Sequence, residues 1–222
     1  MPTLFDPIAL GDIACPNRIL MAPLTRGRSE TGHVPVSALK ADYYAQRASA
    51  GLIIAEATGI TQEGSGWPSA PGIWSDQHVE AWKPVTDAVH EADGRIILQL
   101  WHMGRLVHPD FLGGAQPVSS SATTAPGDAH TPTGKSPYVE ARALPLNEIP
   151  RLIGDYVHAA KYAMAAGFDG VQLHSANGYL IDQFLRDNSN FRDDDYGGSI
   201  ENRIRLLREV AQALAEIGRA HV

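Results

Sequence analysis

Three short runs rich in β-branched and other apolar residues stand out along the chain: GLIIAEAT (51–58), GRIILQLWH (94–102) and GFDGVQLHS (167–175). Each is almost continuously apolar rather than alternating, the pattern of a strand covered on both faces. Each follows a stretch that reads as helix, over 37–50, 76–92 and 147–166. In the last of these Ile149, Leu152, Ile153, Tyr156 and Val157 recur at the helical period. A glycine follows each stretch, as expected just past a helix C-terminus. NRILMAP (17–23) reads as an earlier strand behind a hairpin-like FDPIALGDIACP, and a helix over 199–216 follows the last strand.

The resulting order, hairpin and then strands alternating with helices, predicts an α/β fold with a parallel sheet covered by helices. Two architectures satisfy it, a doubly wound sheet and a (β/α)8 barrel. The Gly-rich turn of a nucleotide-binding doubly wound sheet is missing after the first strand, where MAPLTRGRSE stands instead. Residues 103–144 form a long Ser/Thr/Pro/Gly-rich insertion directly after a strand. Barrels build active sites from such insertions, and the barrel is the favoured reading. No linker divides residues 1–222, so a single domain is expected.

At 222 residues and 44% hydrophobic the chain can bury a core, and a net charge of −7 argues against nucleic acid or an anionic membrane as partner. The single cysteine, Cys15, fits a reducing cytoplasm and reads as a packed hairpin residue. No apolar run reaches the roughly 20 residues that span a bilayer, and the first residues lack the pattern of a secretory signal.

Every strand ends in residues that packing alone leaves unexplained: Ala22, Pro23, Leu24 and Thr25 after the first, Ala57 and Thr58 on the second, Gln99 and Trp101 on the third, and His174, Asn177 and Tyr179 after the fourth. In a barrel these ends converge on one face. A strand-end histidine is often structural, and Trp101 is as readily core as pocket wall. Gln99 is harder to dismiss, since a buried amide without partners costs roughly 1–3 kcal/mol. Gly64-Ser65-Gly66 is a weak phosphate signal. His102 and His108 read as loop histidines, and RDDDYGG (192–198) as a charged turn capping the next helix rather than a cation site. No metal site is expected. His174 and Asn177 could both donate to one carbonyl oxygen, and Tyr179 could supply a proton. No side chain carries hydride, so addition to a conjugated alkene would need a redox cofactor. A barrel lyase or hydrolase using His174 and Tyr179 without flavin is the competing reading.

MAPLTRGR, LQLWHMGR, HSANGYLIDQFL and NFRDDDYGGSIENRIRLL together closely resemble the Old Yellow Enzyme family of flavin-dependent ene-reductases, in particular its bacterial N-ethylmaleimide and xenobiotic reductase group. The resemblance runs from Leu4 to about Leu214. It implies a (β/α)8 TIM barrel that binds FMN, is reduced by NADPH, and reduces the C=C bond of α,β-unsaturated carbonyl or nitro compounds. It further implies that Ala22, Pro23, Leu24, Thr25, Ala57 and Gln99 contact the flavin. His174 and Asn177 would bind the substrate oxygen, Trp101 would line the substrate pocket, and Tyr179 would protonate the α-carbon.

Against that family only four of eight strands can be counted. The expectation is therefore a barrel truncated to about its first four βα units, a form in which the enzyme would be inactive or bind flavin weakly. Its unpaired edges would allow two copies to associate. The last seven residues, EIGRAHV, fit no family pattern, and 216–222 reads as a non-native tail.

Overall fold

The structure, a computed structural model, describes residues 1–219. In chain order the main elements are β1 (Ile8–Leu10), β2 (Ile13–Cys15), β3 (Leu20–Met21), α1 (Ser37–Ala45), β4 (Leu52–Gly59), α2 (Asp76–Glu91) and β5 (Ile96–Trp101). The segment after β5 holds β6 (Val118–Ser119), β7 (Asp128–Thr131), β8 (Gly134–Pro137) and β9 (Arg142–Ala143). Then come α3 (Ile149–Ala165), β10 (Gly170–Leu173), α4 (Leu180–Leu185), α5 (Ile200–Arg203) and α6 (Arg205–Arg219).

The four predicted strands form one sheet, β10-β5-β4-β3. Its spatial order follows the chain order without the reversal that defines a doubly wound sheet. The β3–β4 pair is parallel, with Leu20 opposite Leu52 and Met21 opposite Ile53. Ile53 N–H donates to Arg95 O at 2.8 Å and Ile60 N–H to Trp101 O at 3.1 Å, so β4 and β5 also run the same way. All eight residues of β4 and all six of β5 are buried, which is why both read as continuous apolar runs.

Two compact units divide the chain. The first comprises Met1–Thr58, Ser69–Leu100 and Lys161–Gln172; the second comprises Gly59–Pro68, Trp101–Ala160 and Leu173 onward. In the first unit the β1–β2 hairpin forms as expected, and its Cys15, Ile8 and Ile13 pack against Leu52, Ile54 and Ile97. Cys15 is thus a packing residue, 2% exposed. On the helical side Trp82 is fully buried against Phe168, and Thr86 Oγ1 donates to Ala166 O at 2.6 Å. Glu56 on β4, also fully buried, accepts from Lys40 Nζ at 2.5 Å, from Tyr44 Oη at 3.4 Å and from the Arg26 backbone N–H at 2.8 Å.

In the second unit the insertion is ordered rather than irregular. β6 pairs in parallel with β9, and β7 with β8 forms an antiparallel hairpin. Tilted ring contact between His130 and Trp67, with centroids 5.3 Å apart, anchors that hairpin.

Some boundaries differ from the sequence reading. The first helix stops at Ala45, because the chain then tightens into i→i+3 bonds from Arg47, Ala48 and Ala50. The three helix-following glycines serve different needs. Gly167, at φ +87°, is the left-handed cap of α3, with Phe168 N–H bonded to Ala163 O. After α2 it is Asp93 that turns left-handed, whereas Gly94 makes room for Ala48 and Val89. Gly51 passes the Asn17 carbonyl so closely that a Cβ would lie 2.0 Å from its oxygen. The final helix is interrupted at Ile204 and continues through Gly218 to Arg219; the rest of the expected tail, 220–222, lies outside the described residues.

Removing one partner of a buried ion pair strands the other charge. Lys40→Met should lower the unfolding free energy by about 3–5 kcal/mol in urea denaturation. Lys83→Met, which breaks the exposed Lys83–Glu80 pair, should change it by less than about 1 kcal/mol.

Candidate active site

In the first unit, residues 22–28 leave β3 as a loop without regular structure. The Arg26 N–H bond to Glu56 ties this loop to β4. Ala22, Leu24 and Thr25 are exposed and Pro23 is half-buried, with Leu24 53% open. Ala57 is buried in β4. Gln99, 9% exposed on β5, donates from Nε2 to Gln172 Oε1 at 2.7 Å across to β10. The partner foreseen for the buried amide is therefore, in part, a second amide.

In the second unit Trp101, His174 and Tyr179 come together as three rings. Trp101 and His174 are nearly parallel, with centroids 6.4 Å apart, and Tyr179 stands edge-on to both at 4.9 Å. Burial lowers the pKa of His174 below the usual histidine value, only partly offset by the Asp182 carboxylate. Burial, with a smaller push from Tyr138, raises that of Tyr179. The imidazole is thus neutral and the phenol protonated across the neutral range. His174 Nδ1 lies 3.4 Å from the Ala176 N–H and accepts from it, which leaves the ring proton on Nε2 as a free donor. Asn177 is on the same turn, exposed, with φ +60°, a left-handed conformation that Asn tolerates better than most residues.

What holds this turn was not foreseen from sequence. Gln183, 1% exposed, donates from Nε2 to Gly178 O at 2.7 Å and to Met103 O at 3.1 Å. Its Oε1 accepts from the Arg105 N–H at 3.2 Å and Ser119 Oγ at 3.0 Å. Gly104 sits against it: a Cβ there would meet Oε1 at 2.2 Å, and φ is +60°. The Tyr179 turn is also fixed by Gly178 N–H to Asp182 Oδ2 at 2.8 Å and by Leu180 N–H to His102 O at 3.0 Å. Only the polar residue types inside the apolar helix LIDQFL hinted at such a role.

Three of the subsidiary readings resolve here. Gly64-Ser65-Gly66 is a packing turn rather than a phosphate cradle: a Cβ on Gly64 would lie 2.6 Å from the His102 ring. His102 is not a loop histidine but a buried one, 1% exposed, accepting from the Gly104 N–H at 3.1 Å. The RDDDYGG turn does not cap the next helix; Ser199 does so, and Arg192 instead grips Asp194 while donating to Ser120 O in the middle of the insertion and Leu144 O at its end. A further knot fixes the insertion at Glu63, whose oxygens meet Arg142 at 3.1 Å and Arg151 at 2.9 Å, with Glu148 sharing both arginines. Burial alone would push the Glu63 carboxyl up, but His102 and the arginines outweigh it and hold it at about 2.

Comparison with known proteins adds the following. Residues 3–221 match the family described as NADH:flavin oxidoreductase / NADH oxidase. The chain is 49% identical over 97% of its length to chanoclavine-I aldehyde reductase fgaOx3 of Penicillium roqueforti, covering 57% of that protein. It is 45% identical to 12-oxophytodienoate reductase 1 of Oryza sativa subsp. japonica, covering 97% of this chain and 56% of the relative. Among solved structures, the old yellow enzyme homologue from Zymomonas mobilis superposes with a TM-score of 0.95 at 62% identity, over 97% of this chain and 60% of that one. Morphinone reductase in complex with tetrahydroNAD gives 0.93 at 48%, over 97% and 61%. The chain thus spans little more than half the length of the relatives it matches. Among the described residues no helix is long and apolar enough to cross a membrane.

Two tests follow from this geometry. Gln183→Leu leaves four groups without their partner, two of them buried and two partly so, and should cost on the order of 3 kcal/mol, with faster amide exchange at Gly178 and Tyr179. Glu63 is held below its unfolded value, so its stabilisation is complete above about pH 4.5 and is lost as pH falls through about 2. Acid unfolding of Glu63→Gln should accordingly be less steep across that window than that of the parent chain.

Proposed function

The chain belongs to the NADH:flavin oxidoreductase / NADH oxidase family, and on that footing we propose that it is the N-terminal portion of an FMN-dependent ene-reductase of the Old Yellow Enzyme kind. Its substrates are alkenes activated by a carbonyl or nitro group, and NADPH is its reductant. The observation that carries this reading is the ring cluster, in which a neutral imidazole donor lies beside a phenol that burial keeps protonated. The fold reading, the first four units of a (β/α)8 barrel, is supported by a parallel sheet in chain order whose outer strands β3 and β10 are both unpaired on one side among the described residues.

The residues fit a bound flavin on one physical count: Gln99 Oε1, inside an otherwise apolar strand, has no partner among the described residues. Gln99 and Ala57, with Ala22, Pro23, Leu24 and Thr25 on the loop, would hold the cofactor. Bound there and reduced by NADPH, FMN would supply the hydride for the β-carbon of the alkene. His174 Nε2–H and the Asn177 amide donate to the substrate oxygen, stabilising the negative charge that develops there as the β-carbon is reduced. Tyr179 then gives its proton to the α-carbon, completing the net addition of two hydrogens across the double bond. Trp101 walls the site and, with Tyr179 edge-on to it, limits the directions in which that proton can be delivered.

The chain should turn yellow on titration with FMN, and a separately produced C-terminal half should restore NADPH-dependent reduction of cyclohexenone. In that pair Tyr179→Phe should lower the rate about 100-fold or more with little change in substrate affinity. The parent pair should hold its rate between about pH 6.5 and 10, where neither His174 nor Tyr179 changes charge. Full activity in Tyr179→Phe would show that the proton comes from elsewhere.

A further inference from the structure

Gln99 and Gln172 face each other across β5 and β10, in register with the Asp169 N–H to Ile96 O bond three residues earlier on both strands. The pairing spends one N–H of Gln99 and one lone pair of Gln172. It leaves Gln99 Oε1 as an acceptor and the Gln172 Nε2 group as a donor, neither with a partner among the described residues. Neither atom belongs to the sealed, unpartnered set that includes Trp101 Nε1 and His102 Nε2, so both face open space. The two amides can turn over only together, because turning one alone would set oxygen against oxygen or N–H against N–H. The pair therefore presents a composite edge, acceptor beside donor, and the choice of which end faces out belongs to Gln172 as much as to Gln99.

From this juxtaposition we infer that Gln172 is a positioning residue for the flavin: by accepting from Gln99 Nε2 it turns the Gln99 oxygen toward the cofactor. The complementary ligand is a cyclic imide, an N–H flanked by two carbonyls, which is the pyrimidine edge of a flavin. The imide N–H would donate to Gln99 Oε1, and an adjacent imide carbonyl would accept from an amide N–H of the pair. This inference rests on the flavin reading above and adds to it a residue that Gln99 by itself does not imply.

The test compares Gln172→Leu and Gln172→Glu with the parent chain, using FMN as the probe and binding, rather than turnover, as the readout. A leucine cannot accept, so Gln99 is released, and FMN should bind about tenfold more weakly. A carboxylate accepts the same N–H and holds Gln99 the same way round but gives up the Gln172 donor, so Gln172→Glu should bind FMN about threefold more weakly than the parent and more tightly than Gln172→Leu, a partial rescue that general loss of packing would not produce. Before any FMN is added, the hydrogen-bonded side-chain N–H of Gln99 should be shifted downfield in 15N-resolved NMR spectra of the parent and of Gln172→Glu, and not of Gln172→Leu. Unchanged FMN affinity in Gln172→Leu overturns the inference and leaves the flavin reading intact. If Gln172→Glu loses as much affinity as the leucine variant, the orientation assigned to Gln99 is wrong. Failure of the chain to bind FMN even when paired with the separately produced C-terminal half overturns the flavin reading, and the ligand assigned to the amide pair falls with it.

Discussion

The geometry of the second unit depends on the fully committed side-chain amide of Gln183. Two donors and two acceptor positions are all such a group has, and here each is used, on Gly178, Met103, Arg105 and Ser119. The strand end after β5, the start of the insertion and the turn that carries Tyr179 are thereby referred to one rigid plane. A hydrophobic contact in the same place would hold them together but would not fix their rotation. Amide hydrogen bonds are directional, and the mutual angles of the Trp101, His174 and Tyr179 rings depend on the turn being held in one orientation.

Burial then does different things to different groups. His174 and Tyr179 have no strong ionic partner, so desolvation dominates and pushes both toward their neutral forms. Glu63 is also partly buried, yet His102 and two guanidiniums beside it reverse the outcome. One segment of the fold is thus fastened by charge while the neighbouring ring cluster is kept uncharged. The division suits the proposed roles of the imidazole as a donor and the phenol as a store of one proton.

The strands and the hairpin were legible in the sequence because parallel strands are buried on both faces and leave continuous apolar runs, as in LIIAEATG and IILQLW. Polar residues at strand ends marked His174, Tyr179 and Gln99 for the same reason, since they broke a pattern. The bonds that position them were not legible. Gln99 and Gln172 are 73 residues apart, and Gln183 and Met103 are 80 apart. No local pattern encodes such a pairing. The buried role of His102 was missed because its neighbour Gly64 lies in a different segment of the chain, and its significance emerges only when the two are packed together. The acidic turn at 192–198 was misassigned because the local rule for helix caps favoured it, while the arginine within the turn had a longer-range use.

Gly104 has a consequence of a different kind. It leaves no room for any side chain while Gln183 occupies its place, and its backbone conformation disfavours one in any case. A shorter residue at 183 would open the space but would surrender the bonds that give the turn its shape. The two positions are therefore locked to each other in sequence space. Drift at either alone passes through a damaged intermediate, and a library that randomises them one at a time will return the starting pair. Variation in this protein should accumulate instead on the β7–β8 hairpin, whose tip is exposed and where change leaves the amide anchor untouched.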